Sequence, residues 1–445
     1  MAEILPFRAL HYDPHNVPDL GTVVTQPYDK ISPEMQARYY GLSPYNLVRI
    51  IKGRALPDDA AAHNVYTRAA SDFQNWIKSG VLVSESQPAI YPYYQEYEVP
   101  GQPGLRKERR GFIALLRLED YSARVVHRHE ETLSGPKADR RELLKATRAH
   151  YGQIFMLYSD PTGAIEDLLA GPATGQAWEQ ATDEFGTRHT AWRIAEPHII
   201  AGVTAAMRDK QLVIADGHHR YETALAYRND CRAAGHTDGR LDYVMMTFVR
   251  METDGLTILP THRLVHSLAD FDWAKFAAAA RAIFDWEDIA VSGPASAWAG
   301  QFLSALGEAG RERPAMGVYA RPGKLAVLRL RADFDLDGAL AGAAPTLRGL
   351  DVALLHRLVL ERLLGITLQA VREEKNLAYF RDPALACEAV DEGRGQFAFL
   401  LNPTPVASVY ANALADCPMP QKSTDFYPKL LSGMTIYWLD NPAGM

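Results

Sequence analysis

The residues with the greatest chemical potential lie in one run, Ile214-Ala215-Asp216-Gly217-His218-His219-Arg220-Tyr221-Glu222-Thr223-Ala224. The apolar stretch Leu212–Ala215 reads as a buried strand, Gly217 as a tight turn, and a helix follows from about His219 to Arg232. The first N–H groups of a helix have no intrahelical acceptors and carry the positive end of its dipole, so an anion is stabilised there. Gly217 lets the backbone approach a ligand closely. His218 and His219 supply donors, and Arg220 can grip phosphate through two parallel hydrogen bonds. Asp216 is suited to different work, either holding Mg²⁺ or accepting a proton from an attacking hydroxyl. The plainer alternative is that Asp216 caps the helix and the histidines lie on the surface.

Other groups fit the same chemistry. Glu130, in His129-Glu130-Glu131-Thr132, is a second carboxylate suited to general-base or metal-ligand work, with a solvated charge cluster as its alternative. Lys137 and Arg140 could reach a second phosphate, while Asp139 reads as the cap of the helix behind it. Tyr28, Asp29 and Glu34 lie in an N-terminal loop where Ser32-Pro33 looks like an N-cap with proline at the first helical position. Thr261, His262 and Arg263 follow the apolar segment Leu256–Leu259, either at a ligand-facing strand end or in a surface turn. Lys422, Ser423, Thr424 and Lys429 make a donor set suited to an anion, without the glycines of a Walker A loop.

These groups need elements to place them. Helical spacing of apolar residues predicts a helix over Asp58–Lys78, and further helices near Arg141–His150 and over Pro197–Arg208. Strands are expected at 88–98, 110–118, Tyr243–Arg250 and Leu256–Leu259. In the last third a helix is expected over Phe271–Phe284, capped by Asp270 or Asp272. A hairpin is expected across Arg321-Pro322-Gly323-Lys324, then a strand at Phe397–Leu401, a helix at Val406–Leu414 and a loop at Cys417–Lys429. Leu350, Leu354, Leu355, Leu358 and Leu363 form an apolar stripe that is core or a homodimer contact. The alternation of helices and strands predicts a mixed α/β (α+β) fold.

Composition narrows the function classes. Over 445 residues the net charge is -7, which argues against nucleic-acid binding but not against a local cationic pocket. The three cysteines, Cys231, Cys387 and Cys417, are far apart, so a disulfide framework or structural zinc is not expected and a reducing cytoplasm fits. The N-terminus lacks a basic start and an apolar signal core, and no run approaches the ~20 apolar residues of a membrane span.

Asp216 to Ala224 resembles the Gly-x-His-Arg or Asp-Gly-His-His-Arg element of the ParB/sulfiredoxin superfamily, in the form found in its free serine kinases. Pro27-Tyr28-Asp29, Pro44-Tyr45-Asn46, His129-Glu130-x-Thr132, Lys137-x-Asp139-Arg140, Pro260-Thr261-His262-Arg263 and Lys422-Ser423-Thr424-x-Phe426-x-Pro428-Lys429 occur in that order. Together they resemble a full-length prokaryotic family known as a domain of unknown function and similar to pyrophosphate-dependent serine kinases. The resemblance implies a ParB/sulfiredoxin-like catalytic core over 1–265 and an α/β region over 266–445 that folds back on it. It implies transfer of a phosphoryl group from pyrophosphate or a nucleotide (ATP or ADP), with Mg²⁺, to free L-serine, giving O-phosphoserine. In such kinases an N-terminal glutamate takes the serine proton, a role to which Glu34 or Asp29 would correspond. The turn lacks the sulfiredoxin cysteine, and a ParB helix-turn-helix module is not evident. A nonenzymatic nucleotide-binding regulator and a phosphoserine phosphatase are the alternatives.

Overall fold

The segments Ile154–Tyr158 and Leu212–Ala215 are buried along their whole length, as strands in the interior of a sheet with both faces covered must be. The computed structural model describes residues 1–130, 135–321, 323–342 and 344–444. Thr132 and the turn residue Pro322 lie outside the described residues. The chain is a mixed α/β protein of the α+β kind and divides into two compact units. The first comprises Met1–Arg128, Thr132–Thr257 and Pro428–Met445, and the second His129–Glu131 and Ile258–Tyr427. The division expected at 265/266 is thus set beside a contact boundary at 257/258, with the last segment of the chain belonging to the first unit.

The first unit is organised by a sheet that has nine strands among the described residues. They are β1 (Ile4–Leu5), β2 (Tyr91–Glu98), β3 (Arg106–Arg117), β4 (Val126–Arg128), β5 (Ile154–Tyr158), β6 (Glu179–Thr182), β7 (Arg188–Ala191), β8 (Leu212–Asp216) and β9 (Tyr243–Arg250). Their order is β4-β8-β5-β9-β3-β2-β7-β6, with β1 paired to β3. The pairs β4–β8 and β5–β9 are parallel, while β8 runs antiparallel to β5 and β9 antiparallel to β3. The core joins Phe112, Leu116, Met156, Ile214, Val244 and Phe248 of the sheet to Val203 and Met207 of α4 (Pro197–Met207) and Tyr221 of α5 (His218–Ala233). The other helices used below are α1 (Pro33–Leu42), α2 (Val65–Lys78) and α3 (Gly135–Thr147).

Three local expectations are corrected here. Helix α2 begins at Val65 rather than Asp58, because Asn64 and Thr67 form a capping box that fixes its start. Asp139 is not a cap: it lies inside α3, where it accepts a hydrogen bond from the Tyr66 hydroxyl at 2.9 Å and pairs with Arg140. The helix expected over Phe271–Phe284 is confined to Trp273–Ala280, with Asp272 as its cap, and Phe284 opens a strand. The Ser32 cap and Pro33 at the first position of α1 are as expected.

The second unit has a six-stranded sheet among its described residues, formed by β10 (His262–Val265), β11 (Phe284–Ile289), β12 (Ala315–Ala320), β13 (Lys324–Leu330), β14 (Leu377–Phe380) and β15 (Phe397–Leu401). The order is β11-β13-β12-β15-β10-β14, and every pair is antiparallel. The helices Ala295–Glu312 and Pro383–Asp391 cover it, with Phe302, Leu306, Ala386 and Val390 in the core. The leucine stripe spans a short α-helix, Asp351–Leu354, and a π-helical segment, Leu355–Leu363; Leu354, Leu355 and Leu358 are buried. No helix among the described residues is long and apolar enough to cross a membrane.

Candidate functional site

Strand β8 ends at Asp216 with a register shift against β5 between Ile214 and Asp216. Gly217 then takes a left-handed conformation (φ 98°) as the N-cap residue, and α5 begins at His218. The positive φ is what requires glycine, and a Cβ here would also crowd the Arg220 guanidinium at 3.0 Å. Asp216 is therefore the last residue of the strand, and the N-cap position of α5 is Gly217, which has no side chain to cap it. Its carboxylate is left for other partners.

Those partners are cations. Lys429 Nζ lies 3.2 Å from Asp216 Oδ2, and Arg220 lies 3.8 Å from Oδ1. Burial opposes ionisation of Asp216, but Lys429, Arg220 and Lys30 outweigh it and hold the carboxyl far below the usual carboxylate range. The Asp216 side chain is a quarter exposed, so the cluster is open to solvent on one side. Arg220 also donates to the Gln153 carbonyl, which fixes the guanidinium beside the turn. One carboxylate thus faces three cations, an excess of positive charge where helix N–H groups already favour an anion.

A buried network fixes Lys429. Arg109, on β3, donates to the Pro428 carbonyl at 2.5 Å and through Nε to Gln95 Oε1 at 3.0 Å. Gln95, on β2, donates to the Lys429 carbonyl at 2.9 Å. Arg109 stacks over Phe155 with its guanidinium 4.6 Å from the ring centroid. Burial pushes Arg109 down to about 10, against the opposing pull of Tyr97, Tyr93 and Asp216, so it stays a cation at neutral pH. Behind Gln95, the His189 ring meets the Tyr93 hydroxyl at 2.6 Å and Asp183 at 3.4 Å. Lys429 is mostly buried and has little freedom to leave Asp216.

A cavity of about 70 Å³ in the same unit is lined by Tyr28, Arg140, His150, Gly152, Arg220 and Ser432 among others. Arg140 lies over the Tyr28 ring at 4.0 Å and donates to the Ile51 carbonyl at 2.8 Å. Burial, then the charge of Asp29, push the Tyr28 hydroxyl up to about 12. Asp29 is exposed beside it. Lys137 is paired with Glu222. Glu34 is exposed and accepts a hydrogen bond from Ser32 Oγ at 2.7 Å, which draws its carboxyl downward.

The remaining candidates belong to the second unit and have mainly local partners. His129 is buried, with Nε2 2.8 Å from Thr424 Oγ1, and its carbonyl accepts from Met419 N at 2.8 Å. Glu130 Oε1 accepts from Ser423 N at 3.1 Å, Thr424 N at 3.3 Å and Thr424 Oγ1 at 3.2 Å. Lys422, exposed and left-handed (φ 58°), sits at the bend before them. Arg263 is buried and donates to the carbonyls of Thr261 and Lys422, the latter at 2.9 Å. His262 lies inside the sheet as the first residue of β10, where Nδ1 accepts from Leu401 N at 3.2 Å, and burial pushes the ring down to about 3. Thr261-His262-Arg263 is therefore neither an open strand end nor a surface turn, but the entry to a central strand. Ser423 and Thr424 serve as local loop partners in the second unit, whereas Lys429 serves Asp216 in the first.

Sequence reasoning missed Lys30, Gln95, Arg109 and Gln153. Lys30 adjoins the Tyr28-Asp29 motif, and Arg109 stands in the run Arg106-Lys107-Glu108-Arg109-Arg110, whose alternation hides one inward charge among outward ones. Gln95 and Gln153 carry no local signal. Among the described residues no group of three or more His, Cys, Asp or Glu side chains could hold a metal ion. Asp216 is a single carboxylate, and such a donor fits Mg²⁺ only in the mode where substrate phosphates complete the shell.

The family description "protein of unknown function (DUF1015)" matches residues 4–353. No curated protein matches the chain. Solved structures similar to it include a conserved hypothetical protein from Pyrococcus furiosus, at 10% identity and TM-score 0.36, covering 74% of this chain and 96% of that one. A free serine kinase in complex with AMP is 9% identical at TM-score 0.35, covering 72% of this chain and 92% of that one. SbnI with a C-terminal truncation, from Staphylococcus aureus, is 9% identical at TM-score 0.36, covering 74% and 90%.

Proposed function

We propose that this chain, which belongs to the DUF1015 family of proteins of unknown function, is a small-molecule kinase with a ParB/sulfiredoxin-like core. It transfers a phosphoryl group from pyrophosphate or a nucleotide to the hydroxyl of free L-serine and releases O-phosphoserine. The observation that carries this reading is the excess of cations around Asp216 at the glycine turn that opens α5. Phosphoryl transfer demands charge stabilisation and positioning more than covalent chemistry, and this cluster offers both. The choice of serine rests on the likeness of the Asp216–Ala224 run to the free serine kinase element.

The roles follow from the contacts. Backbone N–H groups at His218 and His219 and the guanidinium of Arg220 hold phosphate oxygens. Lys429 neutralises charge on the transferred group. Asp216, held ionised by its cations, is a weak general base, because an effective base has a pKa near the working pH. Its fitting role is to position Lys429 and Arg220 and to hold Mg²⁺ together with donor phosphates; the metal would supply further neutralisation of phosphate charge. Asp29, whose charge acts on the cavity residue Tyr28, is our choice to take the serine proton over Glu34. Tyr28 and Arg140 then line the serine pocket. Glu130 we assign to holding the backbone of Ser423 and Thr424.

The test is direct. Purified protein is incubated with L-serine, Mg²⁺ and, in turn, pyrophosphate, ATP and ADP, and phosphoserine is read by phosphorus NMR. Product with one donor supports the assignment. Absence of product with all three, or nucleotide binding without turnover, sinks it.

A further inference from the structure

The largest chemical anomaly outside the Asp216 cluster is His356. It is the second residue of the π-helical segment Leu355–Leu363 and only 3% exposed, yet neither ring nitrogen has a hydrogen-bond partner. Burial, then the charges of Arg263 and Arg357, push the ring down to about 3, so the imidazole is neutral and presents one donor and one acceptor. Leaving such groups buried without partners is unfavourable, because each has given up its hydrogen bonds to water for none in return. A π-turn, with its i→i+5 hydrogen bonds, widens the helix and is frequent at functional sites.

His356 lines a cavity of about 300 Å³ within the second unit. Its walls are mainly apolar, including Leu340, Leu347, Ala353, Val371 and Met419. Two exposed guanidiniums, Arg357 and Arg372, also line it, and among the described residues of the lining none is Asp or Glu. Arg357 reaches Glu361 at 3.2 Å, one turn along its own helix and on the exposed side. The volume reaches the lower end of the range for small-molecule sites, and apolar walls with a few placed polar groups are the usual composition of such sites.

We propose that this cavity binds a small organic acid whose apolar body fills the leucine and valine walls, whose carboxylate meets Arg357 and Arg372, and whose second polar group hydrogen-bonds His356. The two guanidiniums of the lining suit an anion. The neutral imidazole selects a partner that can complete its donor or its acceptor, such as a hydroxyl. The proposal is independent of the kinase reading, since every residue it uses lies in the second unit and phosphoserine is not its readout.

Three probes test it by ligand-observed NMR and calorimetry: 3-(4-hydroxyphenyl)propionate, 3-phenylpropionate, which lacks the hydroxyl, and 4-propylphenol, which lacks the carboxylate. The first should bind the full chain best, with loss of either group weakening binding by about tenfold. His356→Phe should abolish the preference for the hydroxyl, and Arg372→Gln should weaken the preference for the carboxylate. Leu347→Trp, which fills the cavity from its wall, should abolish binding of all three while circular dichroism stays unchanged. The proposal is overturned if no probe binds the wild-type protein at millimolar concentration. It is equally overturned if Leu347→Trp leaves binding intact, a measurement that stands even if the His356 variant does not fold.

Discussion

The two units treat buried ionisable groups in opposite ways. In the first, Asp216 is surrounded by Lys429, Arg220 and Lys30 and is kept charged against the cost of burial. In the second, His262 and His356 are stripped of charge by the same cost, because no carboxylate faces them. Glu130 and Arg263 take a third course and serve the backbone of their own unit. The lesson is that residue type does not reveal a reagent. A group is available for chemistry when its partners are charged side chains at a site partly open to solvent, and it is architectural when its partners are peptide groups. Burial decides which charges survive, and the placement of counter-charges decides where.

The sharpest break of this contrast is Asp216→Asn. It removes the charge that organises Lys429 and Arg220, and phosphoserine formation should fall by about 10³-fold, an effect of the size seen when one electrostatic stabiliser of a transition state is lost. A fall of less than about threefold under saturating serine would show that Asp216 is architectural. The second unit is probed by acid. His262 and His356 have folded-state values near 3, below the ordinary histidine value of about 6.5, so the unfolded chain binds more protons between these limits. Their contribution is intact above about pH 6.5 and is lost as pH falls, by roughly 2 kcal/mol per histidine at pH 5. Urea midpoints at pH 7 and pH 5 should show the drop, and His356→Phe should remove about half of it. Asp216 responds with the same sign in a lower window: its stabilisation persists from pH 7 to pH 5 and is lost progressively as pH falls below about 4, the ordinary carboxylate value.

Arg220→Lys keeps the charge but loses the planar fork and the bond to the Gln153 carbonyl. The kcat/KM for the phosphate donor should fall by about 10²-fold, with the larger share in KM. An unchanged KM would place the donor elsewhere. The smallest effect is expected at Glu130. Glu130→Ala leaves the donors of Ser423 and Thr424 without their acceptor, and stability should drop by about 1–2 kcal/mol, read from the thermal midpoint. Glu130→Gln keeps an acceptor oxygen and should lose less. If Gln costs far more turnover than stability, Glu130 joins the reacting groups and the contrast between the units narrows.

The amino-acid sequence alone determined the strand–turn–helix around Asp216. An apolar run, a glycine and a polar helix start are local signals, and the observed bounds Leu212–Asp216 and His218–Ala233 differ from the expected ones by about a residue. The same holds for Phe397–Leu401 and Val406–Leu414, both read with their observed limits. It also marked Tyr28, Arg140, Arg220 and Lys429 as residues of interest. It could not reveal that Arg109 and Gln95 hold the backbone of Pro428 and Lys429, since those partners lie more than three hundred residues apart in the chain. Nor could it show that His262 opens a central strand or that Asp139 binds Tyr66 across two helices. Local patterns report backbone preference and which face is apolar. The protonation state and the duty of a polar side chain depend on what distant segments place beside it, and only the tertiary structure decides that.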